Sequence, residues 1–249
     1  MAESGRRERL TSLVVPVYNE ADNILPLLHS IDDSVLENHE ILLVYDFDED
    51  TTLPPARAYA AGKPQIRLVL NTRGPGVVNA LATGLHQASG DVVCVVMADL
   101  SDDVTQIQDL AAMVRGGAAV AVASRYMRGG KQIGGPIVKR TMSRLAGLSL
   151  RWLTRIGTHD PTSNFKAYGQ DFIEGVRIES RQGFEVALEL TTKAHLLGGD
   201  IREIPTIWRD RVAGESRFRL MQWLPSYLRW YARCVLLTWT GQRRRNRKL

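Results

Sequence analysis

The sequence predicts an α/β fold with a doubly wound, mostly parallel sheet, and three observations carry that prediction. Five short runs, Leu13–Val17, Ile41–Tyr45, Ile66–Leu70, Val92–Met97 and Ala119–Ala123, are apolar almost throughout and rich in Val, Ile and Leu. Runs too short for a helix and without polar alternation read as strands covered on both faces. Helical stretches separate them, which implies right-handed βαβ units. Polar clusters follow each strand, where an open α/β sheet binds its ligand. A length of 249 residues, 44% hydrophobic and 24% charged, suits one large or two small domains and excludes a disordered or collagen-like chain.

The elements follow in order. Leu13–Val17 ends in Tyr18-Asn19-Glu20 and leads to a helix over Asp22–Ser30, with Asp22 or Asn23 near its cap. Ile41–Tyr45 runs into Asp46-Phe47-Asp48-Glu49-Asp50 and a helix over Leu53–Ala61. Ile66–Leu70 is followed by Asn71-Thr72-Arg73-Gly74-Pro75-Gly76 and a helix over Gly76–Ala88. Val92–Met97 is followed by Ala98-Asp99-Leu100-Ser101-Asp102-Asp103 and a helix over Val104–Arg115, and Ala119–Ala123 by Ser124-Arg125-Tyr126. One such cluster is an ordinary solvated turn; five in succession predict a site. Beyond them come a helix over Lys139–Arg155 with basic residues on one side and a polar loop over Asp160–Lys166. A helix over Phe184–Leu197, a strand over Ile201–Ile207 and a basic loop through Arg211, Gly214 and Arg217 complete the body.

Charge divides the chain. Arg202 to Leu249 holds 12 of the 32 Lys and Arg but only 3 of the 27 Asp and Glu, so a mildly acidic body carries a strongly basic tail. That asymmetry points to an anionic surface as partner. No groove-reading motif favours nucleic acid. Phe218–Thr240 is rich in aromatic and aliphatic residues but is broken by Pro225, Arg229 and Arg233, so it reads as an amphipathic helix lying in the headgroup region rather than spanning it. Arg243-Arg244-Arg245-Asn246-Arg247-Lys248 would strengthen that attraction. The predicted division is therefore residues 1–217 for the body and 218–249 for a membrane-interface segment. Cys94 and Cys234 lie far apart inside apolar runs, and the polar N-terminus carries Arg6, Arg7 and Arg9. Both features predict a cytoplasmic protein, peripheral on the cytoplasmic face of a membrane.

From roughly Thr11 to Arg217 the chain resembles the family 2 glycosyltransferases of the GT-A fold, and more narrowly the polyprenol-phosphate sugar synthases of the dolichol-phosphate mannose synthase type. Val14-Val15-Pro16-Val17-Tyr18-Asn19-Glu20 is close to the family's opening strand and nucleotide-binding turn. Val44 to Thr52 matches a run of two Asp, Gly, Ser, any residue, Asp, Gly, Thr, while Arg73-Gly74-Pro75-Gly76 with Gly84 matches a basic Gly-x-Gly loop. Ser124-Arg125-Tyr126, Asp160 to Tyr168, and Asp210-Arg211 to Ser216-Arg217 match later segments.

The resemblance implies an inverting transfer of a sugar from GDP-mannose or a UDP-sugar to a polyprenyl or dolichyl phosphate. It implies donor contacts at Pro16, Tyr18, Glu20, Asp46, Arg73, Gly74, Gly76, Ala98 and Asp99. Asp99 would hold Mg²⁺ or Mn²⁺ with help from Ser101, which stands where a Gln often assists. Arg125, Arg211 and Arg217 would grip the diphosphate, whose leaving charge needs cations or guanidinium forks. Lys139, Arg140 and Ser143 match the acceptor-phosphate region. Asp48, Glu49 and Asp50 read as turn residues or caps, and Ser101 or Asp102 as a cap for the following helix.

Three departures stand out: Tyr45 replaces the first of the paired aspartates, Met97 replaces the first Asp of an Asp-Ala-Asp, and Ser101 replaces the Gln. A thioether is a poor ligand for a hard cation, so metal binding is expected to be weaker, coordinated differently through Asp102, or partly replaced by arginines. His29, His39, His86, His159 and His195 form no triad-like grouping. A phosphomonoester acceptor needs no general base, because its second pKa is about 6. Two other readings compete. A sugar-hydroxyl or small-lipid acceptor would need a carboxylate base, for which Glu185 or Glu189 could serve. A non-catalytic nucleotide-sugar-binding scaffold would explain Tyr45 and Met97. A dinucleotide-dependent dehydrogenase is disfavoured, since no Gly-x-Gly-x-x-Gly follows the first strand.

Overall fold

The structure is a computed structural model that describes residues 9–211 and 220–241. Its strands are β1 (Thr11–Pro16), β2 (His39–Tyr45), β3 (Ile66–Leu70), β4 (Val92–Val95), β5 (Val120–Ser124), β6 (Lys131–Ile133), β7 (Lys166–Gly169), β8 (Ile201–Pro205) and β9 (Ile207–Arg209). The helices are α1 (Ala21–Ser34), α2 (Leu53–Ala60), α3 (Val77–Gln87), α4 (Ile107–Arg115), α5 (Ile137–Thr154), α6 (Gln170–Gly175), α7 (Val186–Leu196) and α8 (Leu220–Trp239).

The main sheet has the order β3-β2-β1-β4-β7-β5-β8, with β6 and β9 forming a separate pair. All pairings in the main sheet are parallel except those of β7, which runs antiparallel to both β4 and β5. Successive side chains of a strand face opposite sides. Leu13 and Val15 of β1 accordingly join Ile24, Leu27, Ile107 and Leu110 on one face, and Val14 joins Leu81, Leu85 and Val93 on the other. Burial on both sides is why the predicted runs in β1, β2, β4 and β5 are unbroken and apolar; β3, at the sheet edge, admits Arg67 and leaves Leu70 exposed.

Two elements differ from the sequence reading. The Asp160–Lys166 loop gives way at its last residue to β7, a strand of four residues that begins with a lysine and so shows no apolar run. Lys166 is wholly buried, and its Nζ donates to the carbonyls of Pro161 (2.7 Å) and Ala187 (3.1 Å) and to Thr191 Oγ1 (2.8 Å). The expected strand over Ile201–Ile207 breaks at Thr206 into β8 and β9, and β9 leaves the main sheet to pair with β6.

The helix beyond the expected division at residues 217 and 218 packs on the body. Trp230 and Cys234 of α8 are buried in the core, flanked by Tyr227, Tyr231 and Val235. This spacing of three and four residues puts one face of α8 on the domain. The helix is fixed there by Tyr231 Oη donating to Ser149 Oγ (2.9 Å) and by Arg233 pairing with Glu179 (2.9 Å).

Candidate active site

Since β1 to β5 and β8 share one direction, their carboxyl ends lie along a single rim, and the reversal of β7 brings the 160–165 loop to the same rim. Chain order reverses between β1 and β4, the place where such sheets open a crevice. The five polar clusters meet at this edge.

On the β1 side, Pro16 is buried and Tyr18 projects outward, 41% exposed, edge-on to Phe47 with ring centroids 5.3 Å apart. Asn19 adopts a left-handed φ of 54°. That turn is held by Asp50, whose Oδ1 accepts from the backbone N–H groups of Asn19 (3.0 Å) and Thr52 (2.8 Å), while Glu20 N donates to Thr52 Oγ1 (2.9 Å). Asp50 is thus a buried fastener of the Tyr18-Asn19-Glu20 turn as well as the local turn residue expected.

Asp46 shapes the loop beside it. Its Oδ1 accepts from Asn71 Nδ2 (2.7 Å), and its Oδ2 accepts from Gly76 N (2.8 Å) at the start of α3. Gly74 and Gly76 have φ of 99° and 117°, a region L side chains avoid, so the loop requires glycine at both positions. Asn71 also donates to the Gly74 carbonyl and accepts from Arg73 N, leaving the Arg73 side chain in solvent. Both Asp46 oxygens are committed to this loop, so the base and ribose contact assigned to Asp46 would have to share them.

On the β4 side, Ala98 is buried and Asp99 opens a tight turn in which Leu100 takes a φ of 60°. Ser101 N donates to Asp99 Oδ1 (3.2 Å), and the Ser101 carbonyl accepts from Arg209 N. Ser101 is buried and reaches Asp99 through its backbone. The cap of the following 3-10 turn is Asp103, which accepts from Thr105 N (3.2 Å), so the cap expected at Ser101 or Asp102 lies one or two residues later. Asp102 instead turns back, and its Oδ2 accepts from Met97 N (3.0 Å). Burial, with some help from the charge of Asp99, pushes the Asp102 carboxyl up to about 7.

Arg211 bridges the two sides. Its Nη2 lies 2.8 Å from Asp99 Oδ2 and its Nη1 3.5 Å from Glu20 Oε1. The small β6–β9 pair delivers it, with Asp210 N donating to the Ile133 carbonyl (2.9 Å). Arg217 lies outside the described residues, as does the basic run Arg243 to Lys248.

Arg125 has a protein partner that the sequence reading did not name. Its Nε and Nη2 donate to Asp160 Oδ2 (2.6 Å) and Oδ1 (2.8 Å), and its backbone N–H also reaches Asp160 (3.1 Å). Asp160 is fully buried. Burial disfavours both charges, yet each holds the other ionised: Arg125 keeps the Asp160 carboxyl below the usual range, and Asp160 raises Arg125. A guanidinium used in this bidentate way holds the 160–162 loop through its Nε and Nη2.

Lys139, Arg140 and Ser143 lie on the first turns of α5 beside this pair. Ser143 Oγ is 2.6 Å from Thr162 Oγ1 and 3.5 Å from Arg125 Nη2. The Arg140 carbonyl accepts from Tyr126 Oη (3.5 Å). Lys139 is half-buried; burial first, then the charge of Arg125, push its amine down to about 8, against the pull of Asp210 and Asp99. At Gly147, an added Cβ would stand 2.2 Å from the His159 carbonyl, so only glycine lets α5 lie against the 159–161 loop.

A hard divalent cation needs oxygen donors and keeps several waters, so one or two carboxylates plus a substrate diphosphate suffice. Asp99 and Asp102 supply carboxylates and Met97 supplies none. No group of three His, Cys, Asp or Glu able to hold a metal occurs among the described residues. This donor set fits a cation that completes its coordination with phosphate and water.

The carboxylates considered as alternative bases are occupied elsewhere. Glu185 is fully buried and accepts from the N–H groups of Arg181 (3.3 Å), Gln182 (3.1 Å) and Gly183 (2.7 Å). Glu189, equally buried, accepts from Glu179 N (2.6 Å) and Ser180 N (2.7 Å) and pairs with Lys193 (2.9 Å). Each carboxylate anchors a loop and presents no oxygen to the rim.

This architecture, a mostly parallel sheet with a crevice between β1 and β4, is shared with known proteins. The glycosyl transferase family 2 profile matches residues 12–177, and the chain belongs to that family. Among individual relatives, it is 31% identical over 234 residues to dolichol-phosphate mannosyltransferase of Pyrococcus furiosus, which covers 93% of this chain and 64% of that protein. It is 27% identical to undecaprenyl-phosphate mannosyltransferase of Micrococcus luteus (82% of this chain, 85% of the relative). The polyprenol monophosphomannose synthase of Mycolicibacterium smegmatis is 28% identical (85% and 82%). In structure, it is similar to glucosyl-3-phosphoglycerate synthase of Mycobacterium tuberculosis, solved with Mn²⁺, UDP-glucose and phosphoglyceric acid. The TM-score is 0.65 at 21% identity, with 95% of this chain and 81% of the other covered. At that identity the likeness establishes a common fold.

Proposed function

We propose that this protein transfers a sugar, with inversion, from a nucleoside diphosphate sugar to a polyprenyl phosphate at a membrane surface. The observation that carries the reading is the division of labour at the rim: cations and hydroxyls on α5, a bridged acidic crevice beside them, and both candidate base carboxylates locked into backbone. An acceptor that brings its own negative oxygen fits such a site; one that must be deprotonated does not. The names of the three relatives support the same acceptor class.

In this reading the nucleoside lies across the β1 and β2 tips, against Tyr18 and Glu20, with the diphosphate beside Asp99 and Arg211. Arg211, already close to both Glu20 and Asp99, offers a guanidinium to the leaving diphosphate as the glycosidic bond breaks. A divalent cation, when bound, neutralises the diphosphate; Asp99 would hold it, with Asp102 as second carboxylate. Lys139, Arg140 and Ser143 receive the acceptor phosphate, whose oxygen attacks the anomeric carbon opposite the leaving group. Arg125 acts from behind, keeping Thr162 and Ser143 in place through Asp160.

The test is a donor and acceptor panel on the purified chain. GDP-mannose and UDP-glucose would each be offered with a short polyprenyl phosphate, the corresponding polyprenol, 3-phosphoglycerate and a simple sugar, with Mn²⁺ and with chelator. Product is expected only with the polyprenyl phosphate. Turnover of the sugar hydroxyl alone would overturn the acceptor assignment, and donor binding without turnover on any acceptor would favour a scaffold.

A further inference from the structure

We propose that Glu203, on β8, is a positioning residue for the acceptor phosphate. This deepens the function above and rests on it for what the rim holds, but not for the contacts themselves. Glu203 lies outside the residues that the sequence singled out, and its carboxylate, 9% exposed, is turned onto one neighbouring loop. Its Oε2 accepts from Thr158 Oγ1 (3.0 Å) and from His159 N (2.8 Å), and its Oε1 accepts from His159 Nδ1. An ionised carboxylate can only accept, so the last contact places a proton on Nδ1 of the imidazole.

From this carboxylate an unbroken run of hydrogen bonds leads to the groups that receive the acceptor. Thr158 Oγ1 accepts from Asp160 N (3.0 Å), and both residues are wholly buried. Asp160 accepts the two Arg125 contacts and the Thr162 hydroxyl (3.1 Å), and Thr162 Oγ1 stands 2.6 Å from Ser143 Oγ. The backbone confines the segment as well. An added Cβ would stand 2.2 Å from the His159 carbonyl at Gly147, and 2.3 Å from the Ile201 carbonyl at Gly157. The loop is thus pressed against α5 on one side and β8 on the other. Glu203 pairs with Val122 in β5, and Arg125 follows the end of that strand, so the sheet fixes the spacing of the two charges that hold residues 158–160. Apolar packing would fill the same volume, whereas three directed bonds also set the loop's orientation. A buried carboxylate is tolerated only when its oxygens are bonded, and the loop supplies those donors. Misplacing a reacting group by 1 Å costs about a hundredfold in rate, so a loop that presents Thr162 and Ser143 needs such an anchor.

The experiment compares the unchanged whole chain with Glu203→Ala, Glu203→Gln and, as a control on the same strand, Arg202→Ala, whose ion pair with Asp200 is exposed. Two readouts are taken: amide hydrogen exchange by mass spectrometry, and initial rates with a short polyprenyl phosphate and whichever of GDP-mannose and UDP-glucose turns over. In Glu203→Ala, exchange in residues 157–163 is expected to quicken at least about tenfold while β1 and β2 keep their protection. The acceptor KM is expected to rise at least about tenfold with the donor KM unchanged. Glu203→Gln, which keeps an accepting oxygen, should recover much of both, and Arg202→Ala should change neither. Should Glu203→Ala fail to fold, His159→Leu removes one contact from the loop side and is read in the same way. Unchanged exchange in residues 157–163 would overturn the assignment. So would a rise in donor KM equal to that for the acceptor, with exchange quickened across β1 and β2, since Glu203 would then support the fold at large. An unchanged chain that turns over no polyprenyl phosphate would instead strike the function above, and the exchange readout would still decide whether Glu203 holds the loop.

Discussion

Replacing Arg125 with Met separates a structural role for this residue from a ligand-gripping one. The Arg125 side chain is 11% exposed, that of Asp160 is 0% exposed, and two short contacts of 2.6 and 2.8 Å join them. Methionine fills much of the volume and removes the charge, leaving Asp160 with the N–H of residue 125 and the Thr162 hydroxyl. Breaking a buried pair from one side costs about 3–5 kcal/mol, since the remaining charge stays desolvated. For a chain of this size that corresponds to a fall of roughly 6–20 °C in Tm. Urea unfolding followed by tryptophan fluorescence measures it, and the double variant Arg125→Met with Asp160→Asn should be less destabilised than the sum of the singles, by up to about 3 kcal/mol. The carboxyl of Asp160 is held below its ordinary value, so its share of stability is present above the unfolded carboxylate pKa and is lost as pH falls through the folded value. Arg125→Met should accordingly flatten the acid side of the stability profile. The reasoning is refuted if Arg125→Met unfolds within about 1 kcal/mol of the unchanged chain while nucleotide binding disappears.

Other substitutions probe the rest of the rim. Arg211→Ala should lower kcat at least about a hundredfold with Tm nearly unchanged, because its partly exposed pairing contributes only about 1 kcal/mol to stability. Lys139, with its amine at about 8 in the free protein, should hold an acceptor phosphate below that pH and release it above. kcat/KM for the acceptor should therefore fall as pH rises through about 8, and Lys139→Arg should extend the plateau to higher pH. Glu185→Gln should destabilise by about 1–3 kcal/mol through its lost backbone anchors, yet the folded fraction should keep its kcat; a selective loss of kcat would restore it as a base. Lys166→Met should cost about 3 kcal/mol or more in urea unfolding, since three buried acceptors lose their donor.

The parallel strands and the rim were legible in the sequence because burial on both faces forces unbroken apolar runs, and because loops at strand ends must be polar. Asp99, Glu20 and Arg211 were each found as motif residues, and the fold brings all three together. β7 was hidden: a four-residue strand opening with Lys166 carries no pattern, and its lysine is tolerated only because three acceptors from distant parts of the chain surround it. The aromatic helix near the end of the chain was visible as amphipathic, but its partner was not. An apolar stripe has the same spelling whether it meets lipid or a protein core, and Trp230 and Cys234 meet the core.

The sequence by itself determined which residues form the five parallel strands β1 to β5, which edge of the sheet is polar, and which family the chain resembles, all consequences of local pattern and spacing. Tertiary structure alone decided the pairings of charge. Arg125 turned to Asp160 and Arg211 to Asp99, although both read equally well as arms for a diphosphate. The physical reason is that a guanidinium's partner depends on which carboxylate the reversed strand and the small β6–β9 pair carry within reach, and those distances exist only once the chain has folded.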